Sequence, residues 1–227
     1  MTETKQNAYL ASEPIGRLLM KFSVPCVLSM LVSALYNIVD QIFIGQSVGY
    51  LGNAATNVVY PFTVAALAMA LLIGDGSASK LSLSLGSGDK KTSHKCIGNG
   101  ILATVFIGIL LTVIGFLFTD QILRLFGVTE ASYPYAKEYM EVILLGIPFY
   151  IFASGMNAAI RADGSPAYSM FSNVIGAVLN LILDPVAIFV FHMGVRGAAI
   201  ATVIGQVVSC FVTILYFRKP KSFRLSK

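Results

Sequence analysis

The sequence predicts an all-α integral membrane protein, a bundle of six transmembrane helices, and three observations predict it. Of its 227 residues, 56% are hydrophobic and only 12% charged, against a charged share of about 25% in soluble domains. The mean hydropathy is +0.77. The apolar residues gather into six long uncharged runs, each close to the roughly 20 residues that cross a hydrocarbon core. This pattern excludes a water-soluble globule and a disordered chain alike. The net charge of +5 belongs to the flanks of those runs, so the membrane and not nucleic acid is the implied partner. Cys26, Cys96 and Cys210 are odd in number and spaced for neither a metal nor a redox pair, so they read as buried filler and not as a disulfide framework.

The runs are Phe22–Val39, Leu51–Ile73, Ile97–Thr119, Val142–Ile160, Ala167–Phe191 with one interruption at Asp184, and Gly197–Phe217. Within a single lobe covering 1–227, they predict helices at about 15–44, 51–80, 96–119, 140–161, 167–191 and 197–217. The first is longer than its run because Ile15 to Met20 is also largely apolar. It follows a polar leader and has no small-residue cleavage pattern before Asp40, so it does not read as a signal peptide. Pro25 and Pro61 mark points where the first two helices bend, and Pro25 is the candidate hinge. The second helix runs on through Gly74, Asp75 and Gly76 toward Lys80. A Gly-, Ser- and Lys-rich segment leads to the third helix, and Asp120 to Glu141, with four acids, reads as a short outer amphipathic segment. RADGSP at Arg161 to Pro166 reads as a turn, and His192 as a loop residue at an outer helix end.

Loop charge sets the orientation. On one side lie Lys5, Arg17, Lys21, Lys80, Lys90, Lys91, Lys95, Arg161, Arg218, Lys219, Lys221, Arg224 and Lys227; on the other, only Arg124, Lys137 and Arg196. A bias of thirteen to three, with an even number of spans, places both termini in the cytoplasm of a multi-pass protein of the cell's inner (plasma) membrane.

Projected at about 100° per residue, the polar groups of most spans fall on single faces, as they must when they line a cavity and not lipid. Ser29, Ser33, Tyr36, Asn37 and Asp40 share an arc of the first helix. Asn53, Asn57 and Tyr60 mark the second, Tyr150, Ser154 and Asn157 the fourth, Asn173, Asn180 and Asp184 the fifth, and Thr202, Gln206, Ser209 and Thr213 the sixth. The third has no such stripe and is predicted to face lipid. Gly197, Ala201 and Gly205 form a small-residue face suited to close helix packing. Asp40 and Asp184 each lie about 26 Å from the cytoplasmic start of their spans, and Thr202 about 8 Å from the outer surface. Each ionised carboxylate costs at least about 2.5 kcal/mol in the bilayer, and no intramembrane Lys or Arg offsets it, so the compensation must be a mobile cation or a proton. The oxygens of Asn180 and Thr202 suit a hard monovalent cation such as Na⁺. Single polar residues such as Asn57, Ser154 and Ser209 are explained by helix-to-helix hydrogen bonding alone.

YNIVDQIFIG at Tyr36 to Gly45, NAAIRADGSP at Asn157 to Pro166, and NLILDP at Asn180 to Pro185 followed by GAAIAT at Gly197 to Thr202 together resemble the amino-terminal lobe of the multidrug and toxic compound extrusion (MATE) transporters. The resemblance spans about Glu13 to Phe217. It implies a secondary transporter, not an enzyme, that exports organic cations by antiport with Na⁺ or H⁺ and needs no cofactor besides that coupling ion. It also implies that Asp40, Asn180, Asp184 and Thr202 form the cation or proton site, with Na⁺ as the metal, and that Tyr36, Asn37 and Asn157 form the adjoining polar network. Members of that family carry about twelve spans in two similar lobes. Six spans with no second copy imply a fragment, an isolated lobe or a half-sized transporter that pairs with a second lobe or with another copy of the chain.

Two rivals are weighed against this reading. A lipid-linked oligosaccharide flippase of the same superfamily would show a cationic cavity, whereas the expected walls are rich in Phe, Tyr and Met with acids as the only charges, which favours bulky hydrophobic cations. An intramembrane aspartyl protease would show Tyr-Asp and Gly-x-Gly-Asp pairs, but Asp40 follows Val39 and Asp75 follows Ile73-Gly74. A non-transporting fragment is the remaining alternative. Single-cysteine labelling from each side of the membrane tests the orientation: a residue placed at Lys91 should react only from the cytoplasm and one at Tyr135 only from outside, and the reverse pattern would refute the assignment.

Overall fold

The computed structural model describes residues 13–218 and Pro220. Lys5, Lys219, Lys221, Arg224 and Lys227, counted above as cytoplasmic charge, lie outside the described residues, as does the side chain of Lys90. The helices are α1 Ile15–Ser47, α2 Tyr50–Gly86, α3 Lys90–Leu117, the short α4 Thr119–Leu125, α5 Tyr133–Ala162, α6 Pro166–Pro185, a π-helical turn Val186–Val190, and α7 Gly194–Phe217. Six of them are long and apolar enough to cross a membrane, and no strand occurs among the described residues. Lipid offers backbone amides no water, so each crossing segment satisfies its own peptide groups as a helix.

The ends of the helices are set by side chains that lie outside the apolar runs. Asp89 caps α3 by accepting from the Thr92 amide at 3.0 Å and the Thr92 hydroxyl at 2.6 Å, so that helix starts at Lys90 and not near 96. It ends at Leu117, and the short α4 follows at the start of the outer segment, with Leu123 buried against α5. Helix α5 begins at Tyr133 and not near 140. Its outer turns are pinned to α4 through Asp120, which accepts from the Tyr133 hydroxyl at 2.6 Å and the Lys137 ammonium at 3.1 Å. The Tyr133 hydrogen bond, then that of Lys137, holds the Asp120 carboxyl below its ordinary value. Between α5 and α6, Gly164 takes φ +77°, and the Ser165 amide bonds back to the Ile160 carbonyl at 3.1 Å, a left-handed stop that leaves Pro166 to open α6.

Helix α5 is the centre of the bundle, packed on α2, α3 and α7. Ile143, Leu144, Ile147, Ile151, Met156 and Ile160 along it are fully buried or nearly so. Without a hydrophobic drive between helices in lipid, close approach depends on small residues. At the α2–α5 crossing, a Cβ on Gly74 would collide with the Gly155 backbone, and one on Gly155 would meet the Ala70 carbonyl oxygen at 3.0 Å. At the α6–α7 crossing, a Cβ on Gly205 would lie 2.7 Å from the Gly176 carbonyl oxygen, and one on Gly176 would lie 2.8 Å from that of Gly205. The small-residue face of α7 thus packs closely: Ala201 is buried, and Gly197 abuts Ala187 in the π-helical turn.

The two peripheral helices differ. Helix α3 exposes Leu102, Phe106, Ile109 and Leu117 outward but is not wholly lipid-facing: its inner side packs on α2 and α5 with Ser93, Ile97 and Thr104 buried. Thr104 turns its hydroxyl onto its own helix, bonding the Gly100 carbonyl at 2.9 Å. Helix α1 runs unbroken through Pro25 and packs mainly on α6, with Leu19, Met30, Leu35 and Ile38 exposed. Its side-chain tie to α2 is the Gln41–Thr56 pair at 3.1 Å.

Gly205→Leu is expected to destabilise the bundle by about 1–3 kcal/mol, because the added carbons have no room against the Gly176 backbone. Gly98→Ala, where no atom lies within 4 Å of the new Cβ, should be neutral. Thermal unfolding in detergent measures both, and an unchanged midpoint for Gly205→Leu would refute the close crossing.

Candidate functional site

Helices α1, α2, α5, α6 and α7 enclose an open cleft of about 440 Å³, to which α3 contributes no side chain. Four tyrosines, Tyr36, Tyr60, Tyr139 and Tyr150, supply its aromatic surface. The expectation of Phe- and Met-rich walls is corrected here, since neither residue type lines the cleft. The expectation that acids are its only charges is corrected as well. Arg161, at the last turn of α5, lies in the wall with its guanidinium 3.7 Å from Asp75 of α2. The reason is geometric: helix α5 runs two residues past the end of the apolar run that defined it, to Ala162, so the residue read as part of a turn still belongs to a cavity-facing helix surface.

The structure brings Asp40, Asn180, Asp184 and Thr202 together at one end of the cleft. Asn180 donates its amide to Asp184 Oδ1 at 3.2 Å and to Thr202 Oγ1 at 3.1 Å. The Asp40 and Asp184 carboxyls interact directly with one another, α1 facing α6. Asp184 is 0% exposed, Asn180 3% and Asp40 6%. Asp40 Oδ1, Asn180 Oδ1 and Asp184 Oδ2 are buried acceptors with no hydrogen-bond donor. No ion pair involving either aspartate occurs among the described residues. Asp40, Asn180 and Thr202 line the cleft, while Asp184 sits behind Asn180.

The remaining network residues divide. Tyr36 stands beside Asp40, Asp184 and Tyr60. Asn37, one position on, is exposed and turns back onto its own helix by donating to the Ser33 carbonyl at 2.7 Å. Asn157 does not join the carboxylates. It donates to Asn173 Oδ1 at 2.9 Å and accepts from Ser169 at 2.8 Å and Ser172 at 2.9 Å. Asn173 in turn donates to Ser29 on α1 at 3.1 Å, and Ser209 on α7 donates to the Ser172 carbonyl at 2.7 Å. This second cluster ties α1, α5, α6 and α7 together about two turns, some 10 Å, from Asn180.

Tyr139 was not singled out by sequence reasoning and stands beside both carboxyls and Tyr36. It falls one residue before the predicted start of its helix, so no stripe could include it. The buried Asp163, which accepts from the Tyr216 hydroxyl at 2.6 Å, was likewise read only as part of a turn.

A family model described as MatE matches residues 25–186. The chain belongs to the MatE family. Two curated relatives are export proteins. This MatE chain is 30% identical over 219 residues to the multidrug export protein MepA of Staphylococcus haemolyticus (strain JCSC1435), covering 95% of itself and 48% of that protein. It is 29% identical over 215 residues to MepA of Staphylococcus aureus (strain MRSA252), again covering 95% and 48%. It spans about half the length of the curated relatives it matches. Among solved structures, it superposes on an outward-facing multidrug resistance MATE family transporter of the MOP superfamily with TM-score 0.86, at 26% identity, over 92% of this chain and 46% of that one. A MOP superfamily transporter from Pyrococcus furiosus Vc1, whose binding pocket is described as reversed in polarity, gives TM-score 0.89 at 25% identity, over 97% and 49%.

Asn157→Ala in this MatE chain leaves the Ser169 hydroxyl without its acceptor and Asn173 Oδ1 without its donor, while Ser172 keeps the Ser169 carbonyl, and is expected to cost about 1–3 kcal/mol. The Asp40–Asp184 cluster should be untouched. Thermal unfolding measures this cost, and an unchanged midpoint would show that the Asn157 network contributes nothing to stability.

Proposed function

We propose that the chain is one lobe of a cation-coupled exporter of bulky organic cations, an antiporter working in the plasma membrane with a second lobe or another copy of the chain, its termini in the cytoplasm. The observation that carries this reading is the set of three buried, donor-less oxygens on Asp40, Asn180 and Asp184. Acceptors without donors in a low-dielectric wall call for a positive charge. Two carboxylates plus the neutral oxygens of Asn180 and Thr202 suit Na⁺, which prefers hard oxygen ligands, and the same carboxylates also accept protons. The export-protein relatives support the reading from an independent side.

In this scheme Na⁺ or H⁺ enters the carboxylate cluster from outside and draws α1 and α6 together across the Asp40–Asp184 contact. Helix α1, bending at Pro25, then narrows the cleft and displaces the organic cation held among the tyrosines. The two ions exclude one another because they neutralise the same oxygens. Arg161 bears on the flippase alternative, since a pyrophosphate head needs a cation in the wall. Its pairing with Asp75 leaves the cleft's uncompensated charge acidic and favours cationic cargo.

Ethidium bound to the purified chain is the test. Added Na⁺ should release it, and the apparent Na⁺ affinity should weaken as the pH falls because protons occupy the carboxylates. Asp40→Asn and Asp184→Asn should insert normally but lose both the Na⁺ and the pH dependence. Release that persists unchanged in both variants would place the cation site elsewhere.

A further inference from the structure

Seven side-chain amides line the cleft, and six of them are committed. Asn37, Asn57 and Asn157 donate to backbone carbonyls of their own helices. Gln41, Asn173 and Asn180 donate to side chains on neighbouring helices. Gln206 is the exception: among the described residues, no hydrogen bond holds either end of its amide, and its Oε1 is buried without a donor. It is seated deliberately in one respect. The residue opposite on α5 is Gly146, where any Cβ would collide with Gln206 Oε1, so the absence of a side chain there makes the room the amide occupies.

Gln206 also has a defined place along the cleft. It lies one turn, about 6 Å, from Thr202 on α7, between the carboxylate cluster and the Asn157 cluster, on the same stripe as Ser209. A primary amide presents both a donor and an acceptor. With its Oε1 turned against Gly146, Gln206 leaves its amide nitrogen as the group a cargo can reach from the cleft, and an unpaired donor in a cavity wall gains from a ligand acceptor that completes it.

We infer that Gln206 is a specificity-determining residue of the cleft, one that selects organic cations carrying an amide or carbonyl group a few ångströms from the cationic nitrogen, on the scale of the helical turn of about 6 Å that separates Gln206 from Thr202. The cationic end lies toward Asp40, and the cargo's carbonyl oxygen accepts from the Gln206 amide nitrogen. The inference rests on the cation-export reading and adds to it the second recognition element. Sites that hydrogen-bond a cargo group discriminate against analogues lacking it because their own polar atoms are then left unpaired.

Two probes of matched length test it: 3-benzamidopropyl-trimethylammonium, and 5-phenylpentyl-trimethylammonium, in which methylenes replace the amide. Calorimetry on the purified chain should show the amide probe binding about tenfold more tightly to the wild type. Gln206→Met, of similar volume, should remove that preference while leaving the amide-free probe bound as before, which also reports that the variant is folded. Equal binding of the two probes to the wild type, or a preference that survives in Gln206→Met, would overturn the assignment of Gln206 while leaving the cation-export reading intact. Binding of neither cation to the wild type would overturn both.

Discussion

The backbone contact of α6 with α7 at Gly176 and Gly205 is the constraint on which the cleft depends. Those two glycines let the helices approach until one carbonyl oxygen lies under 3 Å from where the other's side chain would start. Only at that separation does Asn180 on α6 reach Thr202 on α7, and Ser209 on α7 reach the Ser172 carbonyl. Larger residues at the crossing would part the two polar clusters along their shared seam. In lipid, where no water stands by to satisfy a separated donor, they would lose their partners outright. Close packing and polar chemistry are therefore one arrangement here, the first making the second possible.

The two clusters built on that seam have opposite hydrogen-bonding states. Around Asn157, the side-chain donors find acceptors, and four helices share the network. Around Asp184, acceptors outnumber donors. A saturated cluster rigidifies, whereas an acceptor-rich one stays poised for a positive charge.

Much of this was legible in the sequence, and the reasons are specific. Asp40, Asn180, Asp184 and Thr202 stand out because charge and amide groups inside apolar runs are costly and fall on inward faces, and periodicity reports faces directly. Periodicity does not report neighbours across helices. It could not say that Asn157 finds Asn173 and two serines and not the carboxylates, nor that Gly146 opens a seat for Gln206. Run length measures the hydrocarbon-crossing part of a helix and not the helix itself. For that reason Tyr139, on the outer extension of α5, escaped notice, and Arg161 was counted as loop charge and not placed in the cleft; composition overstated Phe and Met there because those residues go to the core, as Met140 and Met156 do, or face outward, as Met30 and Phe106 do.

Beyond Asp184 and Pro185, the chain closes a π-helical turn in which the Phe191 amide reaches back five residues to the Val186 carbonyl. That turn holds one residue more than an α-helical turn would. The register of everything after it is offset, so that Ile188 faces inward with Ile44, Val195 and Ala198. The segment therefore behaves as a vernier: losing or gaining one residue there would rotate the outer end of the helix by about 100° relative to the aspartate, turning Ile188 out to lipid. Substitutions at the exposed Phe189 and Val190 are cheap by comparison, whereas length is fixed. Among related sequences, this stretch should drift in composition and keep its count.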